Sequence, residues 1–134
     1  MERLKPGARG SFSEVVENWH LASSMGNTGV DVLATPTVAY LFEGAASDAL
    51  APVMRPGEIS VGTEILVRHL RPTPPGMRVE TIVVLREVRG SRYLFDAVVH
   101  DEVEKVAEGT IERAILDGRR FERSVAEKRK PVVV

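Results

Sequence analysis

The clearest pattern in the chain is a stripe of apolar residues at helical spacing in its first half. The stripe consists of Val38, Leu41, Phe42, Ala45 and Ala49. Residues that recur every three or four positions line one face of a helix. Thr35 and Pro36 precede the stripe, as expected for a capping residue followed by a proline at the first helical position. With Pro52 and Pro56 after it, the pattern predicts a helix over residues 36–51 that faces a core.

Elsewhere apolar and polar residues alternate, which is typical of half-buried strands. The predicted strands cover residues 11–19, 59–71, 77–88, 92–101 and 105–116, with a loop at 23–28 and a short amphipathic helix at 121–129. Glycine- and proline-rich turns separate the later strands, so we expect them to form an antiparallel meander. One long helix covering such a sheet is an α+β arrangement, and we expect residues 1–134 to form one domain.

A second ridge of the predicted helix carries a single charged residue. Ala39, Glu43, Ala46 and Leu50 follow one another along this ridge. A carboxylate among small and apolar side chains is a candidate for partial burial. The side of the helix that faces away from the sheet would then contact either water or a second subunit.

Composition narrows the classes of function. The chain has 18 basic and 19 acidic residues, so it lacks the strong field expected of a protein that binds nucleic acid or a membrane surface. Basic residues are concentrated near the end of the chain, at Arg119, Arg120, Arg123, Lys128, Arg129 and Lys130. They form either a solvated tail or a patch that binds a phosphorylated ligand. The absence of cysteine excludes disulfides and thiolate nucleophiles. The chain also has no apolar signal segment at its start and no apolar run long enough to span a membrane. Together with the absence of cysteine, these features predict a cytoplasmic protein.

No common catalytic motif is present. The sequence contains no GxSxG, P-loop, GxGxxG or HExxH pattern, and His20, His69 and His100 are not at metal-ligand spacing, so we expect no metal site. Thr35 lies at the predicted start of the helix, where free N–H groups could stabilise a developing negative charge. Alternatively, its side chain only caps the helix. Glu43 is either part of a site or solvated. His69, at the end of a predicted strand, is either functional or structural.

Three segments together carry a resemblance to a known family. They are Val32-Leu33-Ala34-Thr35 with Glu43 eight residues later, Pro56-Gly57-Glu58 with Val61-Gly62-Thr63, and Val67-Arg68-His69 with Thr73-Pro74-Pro75-Gly76. His100-Asp101 and the run from Gly109 to Ala114 fit the same pattern. Over roughly residues 30–117, the chain resembles hotdog-fold acyl-CoA thioesterases of the fluoroacetyl-CoA thioesterase type.

The resemblance implies a hotdog fold, in which one long central helix packs on a five- to six-stranded antiparallel sheet. It also implies hydrolysis of an acyl-CoA thioester by a Thr, a Glu and a His at a dimer interface. These residues fall on Thr35, Glu43 and His69, and the substrate-contacting Gly and Arg of the family fall on Gly62 and Arg113. Coenzyme A is then part of the substrate, no other cofactor is expected, and the protein is a homodimer or a higher oligomer.

The chemistry of thioester hydrolysis leaves the nucleophile open. Glu43 would attack the carbonyl or activate water, His69 would act as general base and then as acid, and Thr35 would position the reacting groups. Thr35 itself is an alternative nucleophile. Two other functions remain as alternatives, a non-catalytic acyl-CoA binding or sensor protein and a hotdog acyl-CoA hydratase or dehydratase.

The loop before the helix departs from the family. Members that are selective for fluoroacetyl-CoA carry bulky aromatic residues there as a lid over the small acyl group. Residues 23–29 of this chain, SSMGNTG, include no aromatic residue. We therefore expect a different acyl group to be the preferred substrate.

Overall fold

The helices and strands of the protein lie close to the predicted ranges. A computed structural model describes residues 3–129. Its main elements are β1 (Arg9–Val15), α1 (Thr35–Leu50), β2 (Glu58–His69), β3 (Arg78–Arg89), β4 (Arg92–His100), β5 (Lys105–Asp117) and α2 (Gly118–Lys128). Neither α1 nor α2 has the length and hydropathy needed to cross a bilayer. The predicted α+β class is confirmed.

The first strand ends earlier than its alternating pattern predicts. The prediction of a strand over residues 11–19 is wrong at its end, because β1 stops at Val15 and a 3₁₀ turn follows at Asn18–His20. The backbone N–H of Glu17 donates to Nδ1 of His20 over 2.7 Å, which closes this turn. Trp19 therefore lies on the surface, half exposed, and not in the sheet.

The five strands form one antiparallel sheet in the order β1-β3-β4-β5-β2. The predicted meander is correct for β3, β4 and β5 but wrong for β2, which pairs with β5 at the sheet edge. The chain crosses from β2 to β3 through a segment with Pro72, Pro74 and Pro75, whose missing N–H groups prevent it from continuing a ladder. Gly76 then donates its backbone N–H to the carbonyl of Val16, which joins the crossover to the end of β1.

Helix α1 is the centre of the core. The predicted apolar stripe is confirmed: Val38, Leu41, Phe42 and Ala45 are fully buried, and Ala49 nearly so. The neighbouring ridge is also covered, because Ala46 and Leu50 are fully buried. Helix α1 contacts all five strands, so the sheet curls around it and hides more than one face.

Strand β1 crosses α1 with its backbone almost in contact with the helix. A Cβ atom built on Gly10 would lie 2.2 Å from the carbonyl oxygen of Ala45 and 2.7 Å from Cβ of Ala49. Real Cβ contacts are never this short, and a helix backbone cannot move aside cheaply. The small residues on both elements therefore set the separation of helix and edge strand.

We predict that Gly10→Ala lowers the free energy of unfolding by about 1–3 kcal/mol, because the added methyl group forces β1 away from α1. Urea denaturation followed by circular dichroism measures this loss. Ser13→Ala, on the exposed side of the same strand, is the matched control. Equal midpoints for the two variants would contradict the close approach.

Candidate active site

Thr35 and His69 meet at one end of the molecule. Thr35 is the first residue of α1 and His69 is the last residue of β2. The hydroxyl oxygen of Thr35 lies 2.9 Å from Nδ1 of His69. A hydroxyl hydrogen-bonded to an imidazole is the arrangement in which a base activates a nucleophile.

The predicted capping role of Thr35 is wrong. The capping position is occupied by Ala34, and no side chain caps this helix. The carbonyl of Ala34 instead accepts hydrogen bonds from the backbone N–H groups of Thr37 and Val38. Since the Thr35 hydroxyl is not used by the helix, it is available to His69.

The surroundings of His69 suit a general base. Burial lowers the pKa of its imidazole below the ordinary 6.5, and the backbone of Arg71 partly opposes this shift. Nε2 is buried and makes no hydrogen bond of ordinary geometry with any residue in the range 3–129. The nearby Arg71 backbone therefore stabilises the charged imidazole only weakly. An imidazole with a lowered pKa is largely neutral at pH 7, and its Nδ1 can then accept a proton.

A cavity of about 320 Å³ opens beside this pair, and both Thr35 and His69 lie in its wall. Its other walls are largely aliphatic and include Ala22, Val30, Val32, Leu33, Leu70 and Pro72. The loop between β1 and α1 supplies one side, and the chain just after β2 supplies the other. The Thr35–His69 pair therefore borders an apolar space.

Glu43, Gly62 and Arg113 form a second group farther along α1. Gly62 and Arg113 are paired across β2 and β5. Nη1 of Arg113 lies 3.5 Å from a carboxylate oxygen of Glu43. The other carboxylate oxygen lies only 2.3 Å from where a Cβ atom of Gly62 would be. A side chain at position 62 would therefore displace this carboxylate from its present position.

Arg113 is held in place by Ser60, a residue that the sequence did not single out. The guanidinium is buried, with 7% of the residue exposed. Its Nη2 donates to the backbone carbonyl of Ser60 over 2.9 Å and to the Ser60 hydroxyl over 3.1 Å. Ser60 carries no motif in the sequence, and only the pairing of β2 with β5 reveals its role.

The two groups are separate within one chain. No hydrogen bond or ion pair in the described part of the chain joins Glu43 to Thr35 or His69. Eight residues of helix correspond to a rise of about 12 Å. The five residues suggested by the resemblance thus lie in two groups at different levels of α1.

The first turn of α1 is anchored by His20, another contact that the sequence did not predict. The backbone carbonyl of His20 accepts hydrogen bonds of 2.9 Å from the N–H of Ala34 and from the hydroxyl of Thr37. The buried His20 ring in turn contacts Glu14 through Nε2 at 2.6 Å. Tyr40 donates its hydroxyl to the same carboxylate, which raises the pKa of Tyr40 to about 12. This network fixes the backbone beside Thr35.

Comparison with known proteins identifies the family. The family model described as fluoroacetyl-CoA-specific thioesterase matches residues 16–119. The chain belongs to this family. It is 40% identical over 98 residues to the fluoroacetyl-CoA thioesterase of Streptantibioticus cattleyicolor, covering 73% of this chain and 70% of that protein. The resemblance to fluoroacetyl-CoA thioesterases and the expectation of a thioester hydrolase are confirmed at the level of the family.

Solved structures confirm the fold. A variant of the fluoroacetyl-CoA thioesterase FlK in complex with acetyl-CoA has a TM-score of 0.88 at 32% identity, with 96% of this chain and 100% of that chain covered. A hot-dog-like protein from Thermanaerovibrio acidaminovorans reaches a TM-score of 0.89 at 21% identity, covering 97% and 96%. The predicted hotdog fold is therefore correct, with five strands in its sheet.

In the described range 3–129, no group of three or more His, Asp or Glu side chains is arranged to hold a metal ion. The two groups instead offer a hydroxyl, an imidazole, a carboxylate and a guanidinium. The imidazole and the carboxylate are groups that serve as general acids or bases in enzymes.

We predict that His69 titrates below pH 6.5, because burial disfavours its charged form. Its imidazole signals in NMR spectra would shift with a midpoint below this value, and the His69→Gln variant identifies the signals. If neutral His69 is the base, kcat/KM falls as the pH is lowered through the same midpoint. A midpoint above 6.5 would contradict the effect of burial.

Proposed function

We propose that this protein hydrolyses acyl-CoA thioesters to free acid and coenzyme A, with Thr35, His69 and Glu43 as its catalytic residues. The observation that carries the proposal is the 2.9 Å hydrogen bond between Thr35 and His69 in the wall of an apolar cavity. A thioester carbonyl beside this pair would have its acyl group in the cavity. The fluoroacetyl-CoA and acetyl-CoA named for relatives support an acyl-CoA substrate.

In this proposal His69 moves the protons. When Thr35 or water attacks, Nδ1 accepts the proton of the attacking group and returns it to the departing thiolate of coenzyme A. When Thr35 or Glu43 attacks, water must then cleave the acyl ester or acyl anhydride that forms, which releases the free acid. The contact with Thr35 supports attack by the Thr35 hydroxyl. Attack by Glu43, or by water that Glu43 activates, requires this carboxylate to reach the same carbonyl. At the start of α1, the backbone N–H of Thr35 would donate to the developing oxyanion, because Pro36 has no N–H and the N–H groups of Thr37 and Val38 already bond to Ala34.

The separation of the two groups supports a site shared between two subunits. A two-fold axis that passes between Thr35 and Glu43 would bring Glu43 of one subunit to the Thr35–His69 pair of the other. Strand β2 is an edge strand of the sheet, and unpaired edges favour association with another strand. A homodimer is the commonest closed assembly.

Gly62 and Arg113 belong to the Glu43 side of this shared site. Arg113, fixed by Ser60, would orient the Glu43 carboxylate and contact the substrate beside it. Gly62 would allow both the carboxylate and the substrate to approach β2 closely. The single domain, the cytoplasmic location, the absence of a cofactor and any order above a dimer stay predictions.

A non-catalytic acyl-CoA binding protein and a hydratase are the alternatives. Neither requires a hydroxyl bonded to a histidine of lowered pKa beside the acyl cavity. Release of free coenzyme A from a saturated acyl-CoA, followed with a thiol reagent, separates hydrolysis from both. Binding without thiol release would contradict the proposed function.

We predict that His69→Ala and Glu43→Ala each lower kcat by about a hundredfold or more, because each removes a group that moves a proton or bonds to carbon. The double variant would be little worse than the poorer single variant, since both residues serve one step.

The Thr35→Val variant tests which group is the nucleophile. A loss as large as that of His69→Ala assigns the attack to Thr35, and a loss under tenfold assigns it to Glu43 or water.

We predict that inactive subunits complement each other when Glu43→Ala and His69→Ala proteins are unfolded together and refolded as a mixture. Half of the dimers would be hybrids, and one of the two sites in each hybrid would be intact, so about a quarter of wild-type activity returns. Refolding each variant alone is the control. No recovery in a mixture shown to contain hybrids would place the whole site in one subunit.

A further inference from the structure

We infer that the cavity beside Thr35 and His69 takes an apolar acyl group with about the bulk of one six-membered ring or a six-carbon chain. This inference rests on the proposed hydrolase function and adds the class of acyl group to it. It concerns the part of the substrate that lies beyond the reacting carbonyl.

The volume of the cavity is too large for a two-carbon acyl group. An apolar cavity of about 150 Å³ is enough to hold one benzene molecule. The cavity here measures about 320 Å³ and is a broad, open cleft, so the acyl group would fill only part of this volume. Room for a ring or a six-carbon chain therefore remains after the carbonyl has been placed at Thr35.

The chemistry of the walls selects an apolar group. Val30, Val32 and Leu33 lie on one side of the cavity and Leu70 on the other. Asn27 and Arg71 are the polar residues near its edge, and both are exposed. The Arg71 guanidinium points to Glu104 at 3.8 Å and is largely solvated, so it leaves no buried charge for a polar acyl end.

The bulk of the loop residues explains why the space is present. The loop before α1 has glycines at positions 26 and 29, and residues 23–29 contain no aromatic ring that could fill the cavity. Val30, the first branched residue after this loop, is 36% exposed and lies in the wall. A larger side chain at position 30 would take the volume that the acyl group is inferred to use.

Burial of each methylene group favours binding about fourfold at 25 °C. Four additional carbons inside the cavity would thus raise kcat/KM by up to about 250-fold, and partial exposure at the open side reduces this. We expect hexanoyl-CoA and benzoyl-CoA each to exceed acetyl-CoA and fluoroacetyl-CoA in kcat/KM by at least about tenfold.

The test combines this substrate panel with one substitution that fills the cavity. Val30→Phe is expected to lower kcat/KM for hexanoyl-CoA and benzoyl-CoA by about tenfold or more relative to its effect on acetyl-CoA. Val125→Phe is the matched control, because Val125 is 38% exposed on α2 and lies outside the cavity. The unfolding temperatures of both variants are measured as well. Values near that of the wild type show that changes in kcat/KM do not come from loss of folded protein.

The outcomes separate this inference from the proposed function. Hydrolysis with acetyl-CoA or fluoroacetyl-CoA preferred over the larger substrates would overturn the inference and leave the hydrolase function standing. An equal effect of Val30→Phe on all substrates would also overturn it. Absence of hydrolysis across the panel would overturn the proposed function itself.

Discussion

The enclosure of α1 by the sheet is the constraint on which the rest of the structure depends. All five strands contact this helix, and its buried residues cover most of its circumference. Each fully buried Leu, Val or Phe side chain contributes about 1.5–3 kcal/mol relative to exposure. A helix held on so many sides cannot slide or rotate, so its other residues also have fixed positions. Thr35 is exposed at the start of this helix and Glu43 is half-buried on its side, and both are positioned in this way.

The helix also keeps the Thr35–His69 pair apart from the group of Glu43, Gly62 and Arg113. The end of β2 brings His69 to Thr35, and the middle of β2 brings Gly62 to Glu43, so the strand and the helix run in opposite directions. The hydroxyl–imidazole pair then borders the cavity, whereas the carboxylate forms an ion pair with a buried arginine. Each half is ordered by its own contacts before any substrate binds, which limits the reorganisation that catalysis requires.

The sequence predicted the features that depend on local pattern. Helical spacing identified the buried stripe of α1, and alternation identified the strands. Alternation tells which residues share a face but not which strands are neighbours, so the pairing of β2 with β5 was missed. A threonine before proline has the same sequence pattern whether it caps the helix or bonds to a distant histidine. The partners Ser60 and Arg113 lie far apart in the chain, and no local signal links them.

Gly62 has a consequence for how the sequence of this protein can change. A methyl group at position 62 would lie 2.3 Å from an oxygen of the Glu43 carboxylate as it is now placed. The carboxylate ends a flexible and partly exposed side chain, so it could turn aside toward solvent without disturbing the sheet. It would then lose its position beside the buried guanidinium of Arg113. A side chain at position 62 would therefore leave the fold intact and change only where the negative charge of residue 43 lies.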